Sequence, residues 1–221
     1  MSSAKKQLFE QLALIAHTLG SPQRVELVYY MAQAERSVEE LSHLAGLTVA
    51  NTSRHLQILK HNGLAISKKK GKSRLYHLAG DDVVKLVSSL RDTAELHLAE
   101  VERLKSSIIP PEYSKQTISS QDLVGRLRDQ DLLILDVRPN KEFLEGHIKG
   151  AININPDEIE EKTKNLPKGK TVIAYCRGPY CVYSYEMIDS LRSQGVEALK
   201  LEDGFPEWKA AGLPYEGHSK G

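Results

Sequence analysis

Residues 171–182 read Thr171-Val172-Ile173-Ala174-Tyr175-Cys176-Arg177-Gly178-Pro179-Tyr180-Cys181-Val182, and they hold both cysteines of the 221-residue chain. The first five residues are apolar and β-branched or aromatic, the pattern of a short buried strand. From about Cys181 to Gln194 the chain reads as a helix. A cysteine that leaves a strand for a short loop opening a helix sits where peptide N–H groups and the helix dipole stabilise a thiolate. Cys176 therefore occupies a nucleophile's position. Two cysteines confined to one loop cannot form a disulfide scaffold, so redox chemistry is favoured over stapling.

Outward from this loop, Leu132–Asp136 and Ala198–Leu201 read as further strands, with a helix at about Ser120–Gln130. Strands alternating with helices predict a small α/β domain with a parallel sheet. Upstream, Pro110-Pro111-Glu112-Tyr113-Ser114-Lys115 stops a helix and reads as a linker. The expected organisation is a first domain over 1–109, a linker over 110–116 and a second domain over 117–221.

The first half is mainly helical. Leu8, Leu12, Ile15 and Leu19 repeat at helical spacing until Gly20-Ser21-Pro22. A second helix is expected over Gln23–Ala34. Ser37 with Glu40 forms a capping-box pattern before a short helix over Val38–Ala45. Gly46 makes the turn, Thr48 caps a helix over Val49–Asn62, and Gly63 stops it. Leu64–Ser67 and Arg74–Leu78 then read as two strands around a basic turn. From Asp81 to Ile109 a single long helix is predicted, with Val83, Val87, Leu90, Ala94, His97, Val101, Leu104 and Ile108 forming a heptad seam. Such a seam predicts a homodimer through this helix and the first one; packing on the chain's own first helix is the alternative.

The net charge of +1 conceals a local basic stretch. Arg54, Lys60, Lys68, Lys69, Lys70, Lys72 and Arg74 fall in one segment without an acidic residue, which favours a polyanion over a merely solvated surface. No apolar run approaches the length of a signal segment or a membrane span, so a soluble cytoplasmic protein without a membrane partner is expected.

Helix, glycine turn, helix and basic hairpin is the order of a winged helix-turn-helix. Glu40-Leu41-Ser42-His43-Leu44-Ala45-Gly46-Leu47-Thr48, followed by Asn51-Thr52-Ser53-Arg54-His55-Leu56-Gln57-Ile58-Leu59-Lys60-His61-Asn62-Gly63-Leu64, resembles the ArsR family of dimeric bacterial repressors over roughly residues 7–105. The resemblance implies a double-stranded DNA operator as partner. Val49, Asn51, Thr52, Ser53, Arg54 and His55 would lie on the groove side of the recognition helix, with Lys60 near the backbone. Lys68, Lys69, Lys70, Lys72 and Arg74 would neutralise phosphates. Many family members sense metals through cysteines or Asp/His sets. This half has no cysteine, and His97 with Glu100, Asp81 and Asp82 forms a weak set, so no metal and no cofactor is expected.

The second half resembles a single rhodanese domain over about residues 117–217. The resemblance rests on Leu135-Asp136-Val137-Arg138, Glu142-Phe143, Gly146-His147-Ile148 with Gly150-Ala151-Ile152-Asn153, and a close of Asp203-Gly204-Phe205, Trp208 and Gly212-Leu213-Pro214. It implies Cys176 as the catalytic, persulfide-forming cysteine in a substrate loop of Arg177, Gly178, Pro179, Tyr180, Cys181 and Val182. Asp136, Arg138 and His147 read as structural. The loop lacks the second basic residue usual in thiosulfate-using members, and Pro179 removes an N–H donor. A less charged sulfane-sulfur donor, with a thiol acceptor, is the better expectation. Valine at 182, where a related phosphatase-type loop has arginine, excludes phosphate-ester chemistry of that type. Cys181 is either a resolving thiol for Cys176 or a small side chain filling the first helical turn. A repressor sensing reactive sulfur is the leading expectation; a sulfurtransferase with an accessory DNA module and a general thiol oxidant or metalloid sensor are the rivals.

Overall fold

The computed structural model describes residues 3–109, 116–164, 166 and 169–217, and the chain divides into two compact units, residues 1–87 and 88–221. The segment 110–115, read above as the core of a linker, lies outside the described residues.

The first unit runs α1 (Ser3–Leu19), α2 (Pro22–Gln33), β1 (Arg36–Ser37), α3 (Val38–Leu44), α4 (Val49–His61), β2 (Ala65–Lys70) and β3 (Ser73–Leu78). Helix α5 (Asp81–His97) then crosses the boundary between the units. Both expected caps form. Ser37 and Glu40 close a reciprocal capping box on α3, and the Thr48 hydroxyl accepts from Asn51 N on α4. Strands β2 and β3 pair antiparallel, with Lys70 opposite Ser73, so Gly71 and Lys72 form the tip. Gly71 has φ +61°, the sign a two-residue hairpin requires at its first position. Strand β1, too short to show a pattern, adds to the free edge of β3. Leu27, Val28, Met31, Leu41, Leu56 and Leu59 fill the core.

The second unit continues with α6 (Ala99–Ile108), β4 (Thr117–Ile118), α7 (Ser120–Arg126), β5 (Leu132–Asp136), α8 (Asn140–Glu145), β6 (His147–Ile148), β7 (Ile152–Asn153) and a 3₁₀ turn (Pro156–Glu158). It closes with α9 (Ile159–Thr163), β8 (Thr171–Tyr175), α10 (Val182–Ser193), β9 (Ala198–Leu201), α11 (Phe205–Ala210) and β10 (Tyr215–Glu216). Five strands form a parallel sheet in the order β4-β9-β8-β5-β7. One apolar cluster gathers Leu133, Val172, Met187 and Leu191, and another gathers Ile134, Ile173, Leu201 and Trp208. Alternate residues of β5 and β8 thus serve opposite faces, as a sheet covered on both sides requires.

The single helix expected over 81–109 is corrected to two. Leu98 has extended dihedrals (φ −113°, ψ 101°) and separates α5 from α6. The break allows Lys105 Nζ to reach Glu95 Oε2 at 2.7 Å, whereas ten residues of continuous helix would hold them about 15 Å apart. Heptad spacing defines an apolar face without fixing helix continuity. Leu90, Leu104 and Ile108 of the seam stay nearly half exposed within the chain, and Leu8 and Leu12 of α1 more than half.

Buried ion pairs anchor the sheet's carboxyl end. Asp136 and Arg138 are both fully buried. The guanidinium meets the carboxylate through Nε at 3.0 Å and Nη2 at 2.7 Å, and Nη2 also donates to Gly146 O at 2.6 Å. The Tyr175 hydroxyl donates to the same carboxylate at 2.7 Å. His147 stacks on Phe143, with ring centroids 3.8 Å apart. Lys200 is a buried lysine on β9 whose ammonium donates to Leu201 O at 2.9 Å. Burial pushes its pKa down to about 8 against the opposing pull of Asp203, Glu202 and Glu207. Between pH 8 and its ordinary 10.5 the unfolded chain holds a proton that the folded chain has released. Stability of this unit is therefore expected to rise with pH across that window, a slope that Lys200→Met removes. Urea midpoints followed by the single tryptophan, Trp208, measure it.

Candidate functional site: the cysteine loop and the basic wing

Cys176 and Cys181 are joined by a disulfide, with their Cα atoms 6.2 Å apart. That separation is ordinary for a disulfide. Both cysteines are buried, in the apolar cluster that includes Ile154, Ile159 and Met187. Cys176 continues β8, and Cys181 is the N-cap of α10, its carbonyl accepting from Ser184 Oγ at 2.9 Å. The bridge therefore closes a ring between the end of a core strand and the start of a core helix.

The ring's walls come from elsewhere in the chain. Arg177 is bound by the fully buried Glu142 through Nε at 3.0 Å and Nη2 at 2.7 Å. Its charge is thus shared with a carboxylate, a partner that sequence spacing did not reveal. The Cys176 carbonyl accepts from Phe205 N at 3.3 Å. Gly204 packs directly on the loop: a Cβ there would stand 2.6 Å from Gly178 N, and against the Arg177 carbonyl. Its φ of −102° is open to any residue, so the need for glycine is one of space. Gly204→Ala is expected to destabilise the unit by about 1–3 kcal/mol and to expose the thiols. Trp208-monitored unfolding and the rate of thiol labelling after reduction report the two effects. Tyr185 Oη lies 3.4 Å from the Pro179 carbonyl, and burial raises its pKa to about 12. Tyr180 donates its hydroxyl to Glu95. Burial, followed by that carboxylate, holds the Tyr180 phenol above its ordinary range.

The residues expected to meet DNA divide. Val49, Asn51, Arg54 and Lys60 are exposed on α4, and Ser53 is half-buried. Thr52 is corrected: it is fully buried, and its hydroxyl donates to Thr48 O at 3.0 Å. Thr52, Leu56 and Leu59 are spaced by four and three, so Thr52 belongs to the helix's core stripe. His55 is half-buried, and burial, then Arg24 and Arg54, lower its pKa, which favours the neutral ring. On the wing, Lys69, Lys70, Lys72 and Arg74 are exposed. Lys68 pairs with the buried Glu35 at 2.7 Å. Lys69 stands directly opposite Arg74, an arrangement of like charges that costs stability without a polyanion.

Among the described residues, no group of three or more His, Cys, Asp or Glu side chains is placed to hold a metal ion. No described helix is long and apolar enough to cross a membrane.

Comparison with known proteins accounts for both halves. The family model "Bacterial regulatory protein, arsR family" matches residues 21–67, and "Rhodanese-like domain" matches residues 119–211. The HTH-type transcriptional regulator Rv0324 of Mycobacterium tuberculosis is 34% identical over 216 residues, covering 97% of this chain and 94% of that protein. A sulfurtransferase of Allochromatium vinosum is 33% identical over 99 residues, covering 44% of this chain and 91% of that protein. A solution structure of a homodimeric winged helix-turn-helix DNA-binding domain from Mycobacterium bovis is 31% identical and covers 45% of this chain and 93% of that one, with a TM-score of 0.42. The full-length relationship, with a family match in each half, shows that this chain belongs to the ArsR-family transcriptional regulators that carry a rhodanese domain.

Proposed function

We propose that the protein is an intracellular, homodimeric DNA-binding repressor whose rhodanese domain converts reactive sulfane sulfur into a change in operator affinity. The observation that carries this reading is the bridged pair Cys176–Cys181, holding all the thiol chemistry of a regulator whose DNA-binding half has none. The exposed cations of α4 and the wing supply the phosphate contacts. The exposed apolar residues of α1, α5 and α6 supply the dimer face.

The chemistry balances with a persulfide donor, RSSH. The Cys176 thiolate attacks the outer sulfur, the S–S bond of the donor breaks, and RSH leaves after taking a proton. Cys176 is then a persulfide. The Cys181 thiolate attacks Cys176 Sγ and expels the outer sulfur as hydrosulfide. Two thiols plus RSSH thereby give one disulfide, RSH and H₂S; the sulfane sulfur is the oxidant and cellular thiols reverse the step by exchange. Glu142 shares the charge of Arg177, Pro179 lacks an N–H and Val182 carries no charge. A dianion such as thiosulfate is thus poorly matched, and persulfides or polysulfides are the fitting donors.

The test is an electrophoretic shift of the reduced full chain on its operator before and after polysulfide, with the loop mapped by mass spectrometry. An affinity change of about tenfold, within the usual range of coupling energies, is expected. Complete bridging with unchanged affinity removes the sensing reading. Multiple turnovers of sulfur release per chain under that condition would favour a working sulfurtransferase.

A further inference from the structure

The second half of α5 is tied to both ends of the cysteine ring, and all the contacts lie within the second unit. Ser88, Arg91 and Glu95 are spaced by three and four and share one face of the helix. Glu95 accepts from the Tyr180 hydroxyl, and Tyr180 directly precedes Cys181. The other oxygen of Glu95 is held by Lys105 at 2.7 Å, which fixes the carboxylate. One turn earlier, Arg91 Nη1 donates to Glu207 Oε1 at 2.9 Å, and Ser88 Oγ lies 3.4 Å from that oxygen. The opposite oxygen of Glu207 accepts from Gly204 N at 3.2 Å. Gly204 is the residue packed on Arg177 and Gly178, and its neighbour Phe205 donates to the Cys176 carbonyl. The helix face thus reaches the Cys181 end of the ring through Tyr180 and the Cys176 end through Glu207 and Gly204.

We propose that the Tyr180–Glu95 hydrogen bond is a latch by which α5 reads whether the Cys176–Cys181 ring is closed. The proposal rests on the thiol chemistry set out above. The ring spans six residues and contains Pro179, whose φ is fixed, so closing it leaves Tyr180 little conformational freedom. Opening it frees Cys181 at the head of α10 and lets the phenol leave the carboxylate. The same helix begins in the first unit, where Val83 is buried in the core around α2 and α4. A change in the order of its second half is therefore available to the DNA-binding half along a continuous backbone. Tyr180 and Glu95 act here as positioning residues and take no part in sulfur chemistry.

Amide hydrogen exchange of the full chain over residues 88–97 tests the latch, comparing dithiothreitol-reduced with polysulfide-oxidised protein. Exchange is expected to be about tenfold slower in the oxidised chain, the scale of a hydrogen bond to a charged group. Tyr180→Phe is expected to shrink the difference below about twofold while the bridge still forms by intact mass. Glu95→Ala, outside the loop, is expected to do the same and keeps the test decisive if the phenylalanine variant bridges poorly. Equal exchange in the two redox states of the unaltered chain overturns the latch, as does a full difference retained in either bridged variant. An operator affinity that ignores bridging while the exchange difference persists sinks the sensing reading and leaves the latch standing.

Discussion

Cys176→Ser is expected to abolish every sulfur-dependent change in this protein: no added sulfur, no bridge, and an operator affinity identical with and without polysulfide. Serine is nearly isosteric, and a hydroxyl is not a nucleophile toward sulfane sulfur at neutral pH, so the fold survives while the first step fails. Cys181→Ser separates the two steps. Its Cys176 is expected to gain sulfur and stop at the persulfide, because no second thiolate is present to expel hydrosulfide. Intact mass spectrometry distinguishes these species directly. The about tenfold affinity change expected of the unaltered chain should vanish in Cys176→Ser. If the bridge itself is the signal, it should vanish in Cys181→Ser as well. A full response in Cys181→Ser would make the persulfide the signal and relegate Cys181 to packing at the head of α10.

The largest loss of stability is expected from Asp136→Ala. Its carboxylate receives Arg138 through two guanidinium nitrogens and the Arg138 backbone N–H at 2.9 Å, together with the Tyr175 hydroxyl. All three residues are buried. Removing the carboxylate takes the closest counter-charge from a buried guanidinium, at a cost of about 3–5 kcal/mol. The Gly146 carbonyl, the Phe205 ring 4.4 Å from the guanidinium carbon and the charge of Glu142 recover only part of this. Trp208, the chain's one tryptophan, is fully buried in the second unit, so its fluorescence reports that unit's unfolding. The urea midpoint read this way should fall steeply in Asp136→Ala, while the far-UV signal of the first unit unfolds as before. A shift below about 1 kcal/mol would mean the pair's mutual attraction barely exceeds its desolvation cost.

The regular elements were legible wherever a residue's immediate neighbours decide its state. Strands over 132–136, 171–175 and 198–201 follow from short, mainly apolar runs, β-branched in 171–175 and leucine-rich in the other two, because a strand covered on both faces shows little polar side. Ser37 and Thr48 announced their helices, since a cap bonds within three residues of itself. The two-residue strands β1, β4, β6, β7 and β10 carry no readable period; β1, β4 and β7 exist because a longer neighbour offers an edge, and β6 and β10 because the fold sets the two segments side by side. The short polar side chain of Thr52 suits the groove side, but its spacing to Leu56 and Leu59 places it on the buried stripe. The helix break at Leu98 carries neither proline nor glycine as a signal; the reach from Lys105 to Glu95 accompanies it.

The chain's chemistry was written in its order of residues: a winged helix with basic arms, a parallel-sheet domain, and two cysteines five positions apart at a strand-to-helix turn. Those features depend on local periodicity, capping and composition, which sequence neighbours carry. Tertiary structure alone decided what surrounds the thiols. It brought Glu142 to Arg177 across 35 residues and Glu95 to Tyr180 across 85, and it pressed Gly204 against the loop. Such partners meet because the sheet order sets strand ends and helices side by side. A charge in a loop cannot name the carboxylate that will face it until the whole sheet is in place.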